Sequence, residues 1–280
     1  MQSKLIDGKK IGAKIFNEVK SEVLKLDFKP IFCDVLVGSD PASRQYVNMK
    51  AKRALAAGMN FHRANFNEGI KTEELIREIK KINKIPYMCG LIVQLPLPAH
   101  INTKKVLDAI SPKLDVDVTG RVNSEKFYQN KPSALRYPTV AAVLKLLESL
   151  EMDFTRKSFL VLGQGQLVGK PLTHELLKMG YKVNVARSTT QNIPELLKQA
   201  DVVVSAVGKP KFLKGDMLKK GSVLIDAGTS ESFGGIVGDA DFESVRKVAG
   251  YISPVPGGVG PVTVSMLLKN VLLVAKSQIK

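Results

Sequence analysis

Short apolar strand patterns alternate with amphipathic helix patterns along most of the chain, and this alternation constrains the fold most strongly. Residues 30–38 form an apolar run that ends at a glycine, and helix patterns lie on both sides of it, at 9–26 and 43–57. Strands that alternate with helices are typical of parallel sheets covered by helices. The sequence therefore predicts an α/β fold.

The alternation is interrupted once, and the interruption divides the chain. Residues 111–136 are rich in turn-forming residues, and new strand patterns begin at residue 157. A chain of 280 residues is longer than one typical compact domain. We predict a first α/β domain formed by residues 1–138 plus 261–280, and a second, Rossmann-like domain formed by residues 139–260.

The composition argues against several classes of protein. No apolar run approaches bilayer-spanning length, and we expect no signal peptide. Cys33 and Cys89 lie in apolar strand patterns, which indicates buried thiols in a reducing cytoplasm, and the three histidines lack metal-ligand spacing. The net charge of +16 favours anionic ligands, but the basic residues are dispersed, so we expect no nucleic-acid partner. The histidine spacing and the lengths of the apolar runs lead us to expect no metal and no membrane partner.

The second domain carries a glycine motif that is typical of nucleotide sites. A buried strand pattern at 157–163 leads into Gly163-x-Gly165-x-x-x-Gly169, and a helix pattern follows. Early glycines permit a tight turn close to phosphate, and the helix N-terminus offers N–H groups to an anion. The motif predicts a dinucleotide; a tight turn without a ligand is the alternative.

The next strand pattern, residues 182–186, indicates which dinucleotide is bound. An NAD site carries an acidic residue at the end of this strand, whereas here Arg187 and Ser188 follow it, with two threonines. A cation beside hydroxyl groups suits a 2′-phosphate. We therefore predict NADP, with NAD less favoured; a surface arginine is the alternative interpretation of Arg187.

Polar residues in the first domain suggest proton chemistry. Tyr46 and Lys50 are four residues apart on one face of a predicted helix, with Ser43 one turn earlier. A desolvated lysine is suited to proton transfer. Gln94 ends a buried strand pattern, where open α/β sheets bind ligands. Chance helix spacing and an amide bound by local backbone are the alternatives.

Two loops carry further candidate contacts. Asp115 and Asp117 lie in a loop, where a carboxylate either accepts two hydrogen bonds from an amino-pyrimidinone edge or forms a turn. The run Pro254–Thr263 contains three prolines and three glycines, so we expect neither helix nor central strand in it. Such a loop either lets backbone approach a flat ligand or connects two domains.

These motifs occur in the order found in one enzyme family. Besides Tyr46 and Lys50 they are Gln94-Leu95-Pro96-Leu97-Pro98, Asp115-Val116-Asp117, Val204 to Pro210, Gly238 to Phe242 and Pro254 to Thr263. Together they resemble the bifunctional methylenetetrahydrofolate dehydrogenase/methenyltetrahydrofolate cyclohydrolase family over nearly the whole chain. The resemblance implies a homodimer of two-domain subunits with a cleft between the domains.

The resemblance also implies an activity in one-carbon metabolism. It is oxidation of 5,10-methylenetetrahydrofolate to the 5,10-methenyl form by hydride transfer to NADP, followed by hydrolysis to 10-formyltetrahydrofolate. Lys50 is implied as the acid/base of hydrolysis, Gln94 orients it, Tyr46 stacks on the folate, and Asp117 anchors the pterin. The implied folate contacts are Ser43, Tyr46, Gln94, Leu95, Pro96, Asp117, Pro256, Gly257, Gly258 and Thr263. The implied cofactor contacts are Gly163, Gln164, Gly165, Leu167, Val168, Gly169, Arg187, Ser188, Ala206, Val207, Gly208, Asp226 and Gly228.

The chain departs from the family pattern at three places. Val118 follows Asp117 where the family has glycine, and Tyr137-Pro138-Thr139-Val140 stands where it has Pro-Cys-Thr-Pro. Gln164 and Gly165 replace the arginine and serine of its Gly-Arg-Ser motif, and we hypothesise that Arg187 supplies the missing cation. Three alternatives follow: a member with one of the two activities, a shikimate-type dehydrogenase, and, on charge alone, a nucleic-acid-binding protein.

Overall fold

The chain forms two compact units in a computed structural model, which describes residues 3–132, 135–232 and 235–279. Unit 1 comprises Met1–Ala13 and Thr139–Thr263, and unit 2 comprises Lys14–Pro138 and Val264–Lys280. The predicted two-part α/β architecture is confirmed. The division differs from the sequence-based boundaries chiefly at residues 1–13, which belong to unit 1.

The elements follow one another in the alternating order that the sequence predicts. The strands are β1 (Lys4–Leu5), β2 (Ile31–Val37), β3 (Asn60–Phe66), β4 (Met88–Val93), β5 (Ser158–Leu162), β6 (Lys182–Ala186), β7 (Val202–Ser205), β8 (Val223–Asp226), β9 (Ser230–Ser232), β10 (Gly235–Val237) and β11 (Tyr251–Ile252). The helices are α1 (Gly8–Val23), α2 (Pro41–Ala56), α3 (Thr72–Ile82), α4 (Thr103–Asp108), α5 (Arg121–Tyr128), α6 (Pro138–Glu148), α7 (Gly169–Lys178), α8 (Ile193–Gln199), α9 (Phe242–Val245) and α10 (Val259–Gln278), with a short 3₁₀ helix at Gly215–Met217.

Unit 2 contains a three-stranded parallel sheet in the order β3-β2-β4. β4 is buried throughout and β2 is buried from Phe32 onward. Strands covered on both faces are apolar on both faces, which explains their continuous hydrophobic runs. A polar side chain inside either run is therefore an exception that requires a partner.

Unit 1 contains a six-stranded parallel sheet in the order β6-β5-β7-β8-β11-β1. The connection from β5 goes to β6 on one side and then returns to β7 on the other, so the direction of winding reverses between β5 and β7. Ligands of doubly wound sheets bind at the carboxyl ends of the strands at such a point. The loops after β5 and β7 therefore form the expected ligand site of this unit.

Three elements differ from the sequence-based expectations. β1 pairs through its backbone with β11, an interaction that leaves no trace in the order of side chains. α5 lies within the segment that was expected to form turns. The helix was not predicted because it buries only Asn123 and Phe127 and therefore lacks a clear apolar stripe. α10 begins at Val259, inside the proline–glycine run. Pro261 is tolerated there because N–H groups in a first helical turn lack intrahelical partners.

α10 also meets the length and composition of a membrane-spanning helix. Its mean hydropathy is 1.4 over an 18-residue window, of which 61% is buried. The sequence-based expectation that no apolar run approaches this length was therefore too strict. A mostly buried core helix passes the same test, and such a helix alone is weak evidence for a membrane span.

Candidate active site

Lys50 lies on α2 with only 7% of its surface exposed. Its Nζ atom donates to Oε1 of Gln94 at 2.8 Å and lies 2.6 Å from Oδ2 of Asp34. Buried lysines are rare without partners, because removing an ammonium group from water is costly. Three elements, α2, β2 and the residue after β4, thus supply one amine and its two acceptors.

Gln94 is held by two hydrogen bonds to backbone carbonyl groups, one from its main-chain N–H and one from its side-chain amide. Its N–H donates to the carbonyl of Val35 at 2.9 Å, and its Nε2 donates to the carbonyl of Leu95 at 3.1 Å. Because the amide nitrogen is occupied, the amide oxygen is directed at Lys50. The sequence suggested that Gln94 either contacts a ligand or is bound by local backbone. In the structure its amide nitrogen is bound by the local backbone, and its amide oxygen accepts from Lys50.

Asp34 is a member of this cluster that the sequence analysis missed. It lies in the middle of β2 with none of its surface exposed. Burial raises the pKa of its carboxyl group, whereas Lys50 and then Arg63 lower it. An acidic residue inside the apolar run Ile31–Val37 was the available signal, because a buried charge needs a partner.

Asp115 and Asp117 have different surroundings, although they are two residues apart. Asp115 is buried, and its two oxygens accept from the N–H groups of Thr119 at 3.1 Å and Gly120 at 3.0 Å. Burial, the largest effect, raises its pKa to about 6. Asp115 therefore forms the turn, as one of the two sequence interpretations held.

Asp117 belongs with the lysine cluster. The surrounding protein raises the pKa of its carboxyl group, Lys50 lowers it, and Asp34 raises it. Asp117 keeps part of its surface exposed, whereas Asp34 has none. Of the two loop carboxylates, Asp117 is thus the one available to a ligand near the amine.

Val118 adopts the backbone conformation that a glycine would favour. Its φ is +61°, in the left-handed region, and its side chain is completely buried. A β-branched residue in this region is strained by about 1–3 kcal/mol. The loop after Asp117 therefore keeps a glycine-like geometry although the glycine of the family pattern is absent.

The remaining predicted folate contacts of unit 2 lie on α2 or directly after β4. Ser43 is 8% exposed, and its N–H donates at 2.7 Å to Asp40, which caps α2. Tyr46 is partly exposed and lies one helical turn before Lys50, so the two residues share a face of α2. Leu95 and Pro96 follow Gln94 directly, and Pro96 is exposed.

The glycine loop of unit 1 lies at the point where the winding of the sheet reverses. Gly163 has a φ of +85°, and a Cβ there would lie 2.3 Å from the carbonyl oxygen of Ala206, in the loop after β7. A Cβ on Gly169 would lie 2.0 Å from the carbonyl oxygen of Gly163. No atom lies within 4 Å of the corresponding position on Gly165. Two of the glycines are thus required by packing, whereas the third leaves open space.

Gln164 and Arg187 flank this loop in different ways. Nε2 of Gln164 donates to the carbonyl of Gly163 at 3.0 Å and to Oγ1 of Thr173 at 3.1 Å, so its amide is bound to the first turns of α7. Arg187 and Ser188 are exposed after β6, and the Arg187 N–H donates to Oγ1 of Thr190 at 2.9 Å. Among the described residues the Arg187 guanidinium has no ion-pair partner, so it is available to an anion.

The approach to α7 and the other strand ends contain the remaining predicted cofactor contacts. Leu167 is 40% exposed, and Val168 is the residue immediately before α7. Ala206, Val207 and Gly208 follow β7, while Asp226 ends β8 and Gly228 follows it.

A pair of buried carboxylates holds these loops. Asp226 accepts from the N–H groups of Gly228, Asp239 and Ala240 at 2.8–3.1 Å, and burial raises its pKa to about 6. Asp239 is completely buried and holds the loop after β7, because it accepts from the N–H groups of Val207 and Lys209.

The proline–glycine run is packed against the start of the chain within unit 1. A Cβ on Gly8 would lie 1.8 Å from the carbonyl oxygen of Gly258, so the two backbones are in direct contact. Gly257 has a φ of +114°, and Pro256 precedes it in a cis peptide with Val255. Thr263 lies in α10 and donates to the carbonyl of Val259 at 3.1 Å. This run has a packing role whether or not a ligand contacts it.

Replacing Gly258 with alanine is expected to destabilise the protein by about 1–3 kcal/mol, because the new Cβ overpacks the loop. It would lie 2.6 Å from the carbonyl oxygen of Pro254. Gly260→Ala is the matched control, since no atom lies within 4 Å of its Cβ position. Thermal unfolding of both variants measures the difference, and equal stability of the two would refute this packing role.

No candidate metal centre accompanies these sites. Within residues 3–132, 135–232 and 235–279, no group of three or more His, Cys, Asp or Glu side chains could hold a metal ion. Cys33 and Cys89 are free and buried, and burial raises the pKa of Cys89 to about 11.

A doubly wound sheet with a glycine loop at its reversal point, accompanied by a buried lysine with two acceptors, defines a dinucleotide-binding enzyme with an acid–base site. Comparisons with known proteins give the family. The model of the tetrahydrofolate dehydrogenase/cyclohydrolase catalytic domain matches residues 6–117, and the model of its NAD(P)-binding domain matches residues 138–279. The chain belongs to this family.

Relatives and solved structures agree with this assignment over the full length. The bifunctional protein FolD of Acetivibrio thermocellus is 43% identical, covering 100% of this chain and 99% of the relative. FolD from Campylobacter jejuni has a TM-score of 0.94 at 36% identity, covering 99% of this chain and 100% of that one. Trypanosoma brucei FolD, solved with NADP and an inhibitor, has a TM-score of 0.95 at 34% identity, covering 100% of this chain and 99% of that one.

The shikimate-type alternative is not supported by these comparisons. Shikimate 5-dehydrogenase from Thermus thermophilus is 12% identical, with a TM-score of 0.53 and coverage of 88% of this chain and 99% of that one. A likeness at this level of identity shows the fold alone. The predicted family is confirmed.

Proposed function

We propose that the protein oxidises 5,10-methylenetetrahydrofolate to 5,10-methenyltetrahydrofolate with NADP and hydrolyses the product to 10-formyltetrahydrofolate. The observation that carries the proposal is the buried amine of Lys50, bound by Gln94 at 2.8 Å in a chain of this family. A largely buried amine is suited to accept a proton from a single reacting water. A paired spectroscopic assay of the dehydrogenase and hydrolysis steps tests both activities.

Hydrolysis requires a base and a cation-tolerant site. The methenyl substrate carries a delocalised positive charge, and the oxygen of water forms a bond to its methenyl carbon. The electrons of the C=N bond move to nitrogen, and a proton of the water passes to the free amine of Lys50, which leaves a neutral cyclic adduct that carries a hydroxyl group. The adduct then loses its hydroxyl proton as the C=O bond forms, the bond from this carbon to N5 breaks, and N5 gains a proton, so that the 10-formyl product forms and one proton is released overall. Gln94 holds Nζ in place, and Asp117 accepts hydrogen bonds from the pterin edge, as the family resemblance implies. Tyr46, one turn away on α2, supplies a ring for stacking.

Oxidation depends on alignment more than on side-chain chemistry, because it transfers a hydride between two rings. NADP supplies the hydride acceptor when it is bound. The residues of unit 1 fit such a group: Gly163 and Gly169 cannot carry a Cβ without a backbone collision, Gly165 leaves open space, and α7 begins directly after the loop, so that its positive N-terminal end suits a phosphate. Arg187 and Ser188 are the candidate partners of the 2′-phosphate.

Arg187→Ala is expected to lower the preference for NADP over NAD by about tenfold or more. A charge-assisted hydrogen bond contributes about 1.5–3 kcal/mol, and NAD lacks the phosphate that would accept it. The measurement is kcat/KM of the dehydrogenase step with each cofactor. Arg156→Ala, at an exposed arginine of the same unit, is the control and should leave the ratio unchanged. An unchanged ratio in Arg187→Ala would show that another residue selects the cofactor.

We also propose a homodimeric, cytoplasmic enzyme without a nucleic-acid or membrane partner. The family resemblance supports the dimer, and the two buried free thiols suit a reducing compartment. Light scattering coupled to size exclusion tests the dimer. A mass of one chain, 30.6 kDa, would contradict it.

A further inference from the structure

Asp34 is a buried carboxylate that the hydrolysis described above does not use. Its Oδ2 lies 2.6 Å from Nζ of Lys50, and none of its surface is exposed. Neither of its oxygens accepts a hydrogen bond with normal geometry, from Lys50 or from any other group in the described part of the chain. The ion pair with Lys50 is therefore its principal compensation.

The charge of Asp34 has a consequence for the base. A carboxylate that is buried without a partner is costly, and losing one member of a buried pair costs about 3–5 kcal/mol. Burial raises the pKa of Asp34 and so opposes its ionisation, whereas the ammonium form of Lys50 lowers that pKa and favours the carboxylate. When Lys50 is an ammonium group, the charge of the Asp34 carboxylate is balanced. When Lys50 is a neutral amine, the form that accepts a proton from water, the carboxylate is left unbalanced. Asp34 thus acts against the reactive form of the base.

The other charged groups near Lys50 do not cancel this effect. Asp117, from the loop after β4, is a second carboxylate that interacts with Lys50, and this interaction lowers the pKa of Asp117. Arg63 on β3 stands opposite Asp34 in the sheet register and acts in the reverse direction. Its guanidinium is exposed and donates to Oδ1 of Asn48 at 2.8 Å, so its effect on Asp34 is weaker than that of Lys50. Tyr46 shares the face of α2 with Lys50, and Gln94 is uncharged.

We propose that Asp34 is a positioning residue that holds Lys50 in its protonated form and thereby restrains hydrolysis relative to hydride transfer at neutral pH. The proposal rests on the proposed function, since it concerns the proton that hydrolysis delivers to Lys50. Gln94 and Asp34 both contact Nζ, but only Asp34 carries a charge. Gln94 therefore contributes a neutral hydrogen bond to the amine, and Asp34 contributes an ion pair that is complete only when Lys50 is an ammonium group.

The test is the pH dependence of both activities in Asp34→Asn. The amide has nearly the same shape and keeps an oxygen for Lys50, but it removes the charge. An opposite charge at this distance changes a titration by about 1–3 pH units. We expect the midpoint of the hydrolysis profile to move to lower pH by that amount and hydrolysis at pH 7 to rise. The dehydrogenase profile should stay unchanged, because hydride transfer does not use the amine as a base.

Two further variants make the outcome decisive. Asp34→Val suits a buried strand and should move the midpoint in the same direction if Asp34→Asn does not fold. Glu22→Gln removes an acidic charge from α1 that pairs with Lys25 and Lys276, and it should move neither profile. A midpoint that stays in place or rises overturns the inference while the wild-type enzyme still hydrolyses its substrate. A wild-type enzyme without hydrolysis overturns the proposed function, and the inference with it.

Discussion

Lys50→Met is expected to lower methenyltetrahydrofolate hydrolysis by at least a hundredfold while the dehydrogenase activity stays within a few-fold of wild type. General acid–base catalysis by one side chain contributes about 10²–10⁴-fold, and methionine has no group that accepts a proton. Methionine also fills nearly the same space as the buried stem of the lysine. The two activities are measured separately by absorbance, starting from methylene- and methenyltetrahydrofolate.

Lys50→Met has a second effect that the design of the experiment must separate. It leaves the carboxylate of Asp34 buried without its ion-pair partner. Such a loss can destabilise a protein by about 3–5 kcal/mol. The double variant Lys50→Met, Asp34→Asn removes both charges and should recover stability without recovering hydrolysis. Lys52→Met, at an exposed lysine of the same helix, is the control for a lost cation. Hydrolysis that survives in the double variant would contradict the assigned role of Lys50.

Asp239→Asn is expected to destabilise the protein by about 3 kcal/mol and to raise the KM for NADP. Oδ2 of Asp239 accepts from Oγ of Ser205 at 2.6 Å and from the N–H of Val207 at 2.8 Å, and Oδ1 accepts from the N–H of Lys209 at 2.9 Å. An asparagine presents an NH₂ group to at least one of these donors, and a buried unsatisfied donor costs about 1–3 kcal/mol. The loop after β7 that these bonds hold carries the predicted cofactor contacts, so it should loosen.

The pH dependence of stability gives a second measure of this carboxylate pair. The pKa of Asp226 is raised from 3.8 to about 6, first by burial and also by the charge of Asp239. Between those pH values Asp226 binds more protons in the folded protein than in the unfolded chain, so the contribution of this group to stability falls as pH rises through them and is constant above. Removing the Asp239 charge should make this fall smaller. Chemical unfolding at pH 5 and pH 7.5 measures it.

A control for Asp239→Asn is Asp241→Asn. Asp241 caps α9, and its side chain accepts from the N–H of Ser244 at 3.3 Å. Asparagine caps helices about as well as aspartate, so stability should change little. If both variants lose the same stability, the effect comes from lost charge in unit 1 and not from the hydrogen bonds of Asp239.

Much of the site could be predicted from the sequence, because the relevant signals are local. The spacing of Tyr46 and Lys50 places both on one helical face, and the strand–glycine–helix order of residues 157–169 predicts the loop found where the winding of the sheet reverses. Gln94 was recognisable as a polar residue at the end of an apolar strand. In each case the information lies within one element and its end.

The errors arise where the decisive contact is distant in sequence. β1 was missed because its stability comes from backbone pairing with β11, nearly 250 residues later. The start of α10 within the proline–glycine run was missed because composition does not show where in a helix a proline falls. Pro261 lies in the first turn, where the N–H group that a proline lacks would have no intrahelical partner. Val118 shows the reverse case, since a strained φ of +61° is maintained by the surrounding structure against local preference.

The sequence by itself determined the alternating architecture, the strand–glycine–helix order of residues 157–169 and the common helical face of Tyr46 and Lys50. Periodicity and glycine placement act over a few residues, so they survive without any tertiary contact. Only the tertiary structure decided which groups surround the amine of Lys50. Asp34 lies on a central strand, and in the sequence it is a single acidic residue within an apolar run. The packing of α2 on the sheet places its Oδ2 2.6 Å from Nζ of Lys50. The electrostatic environment of a base depends on atoms brought together from different elements, and no local pattern records it.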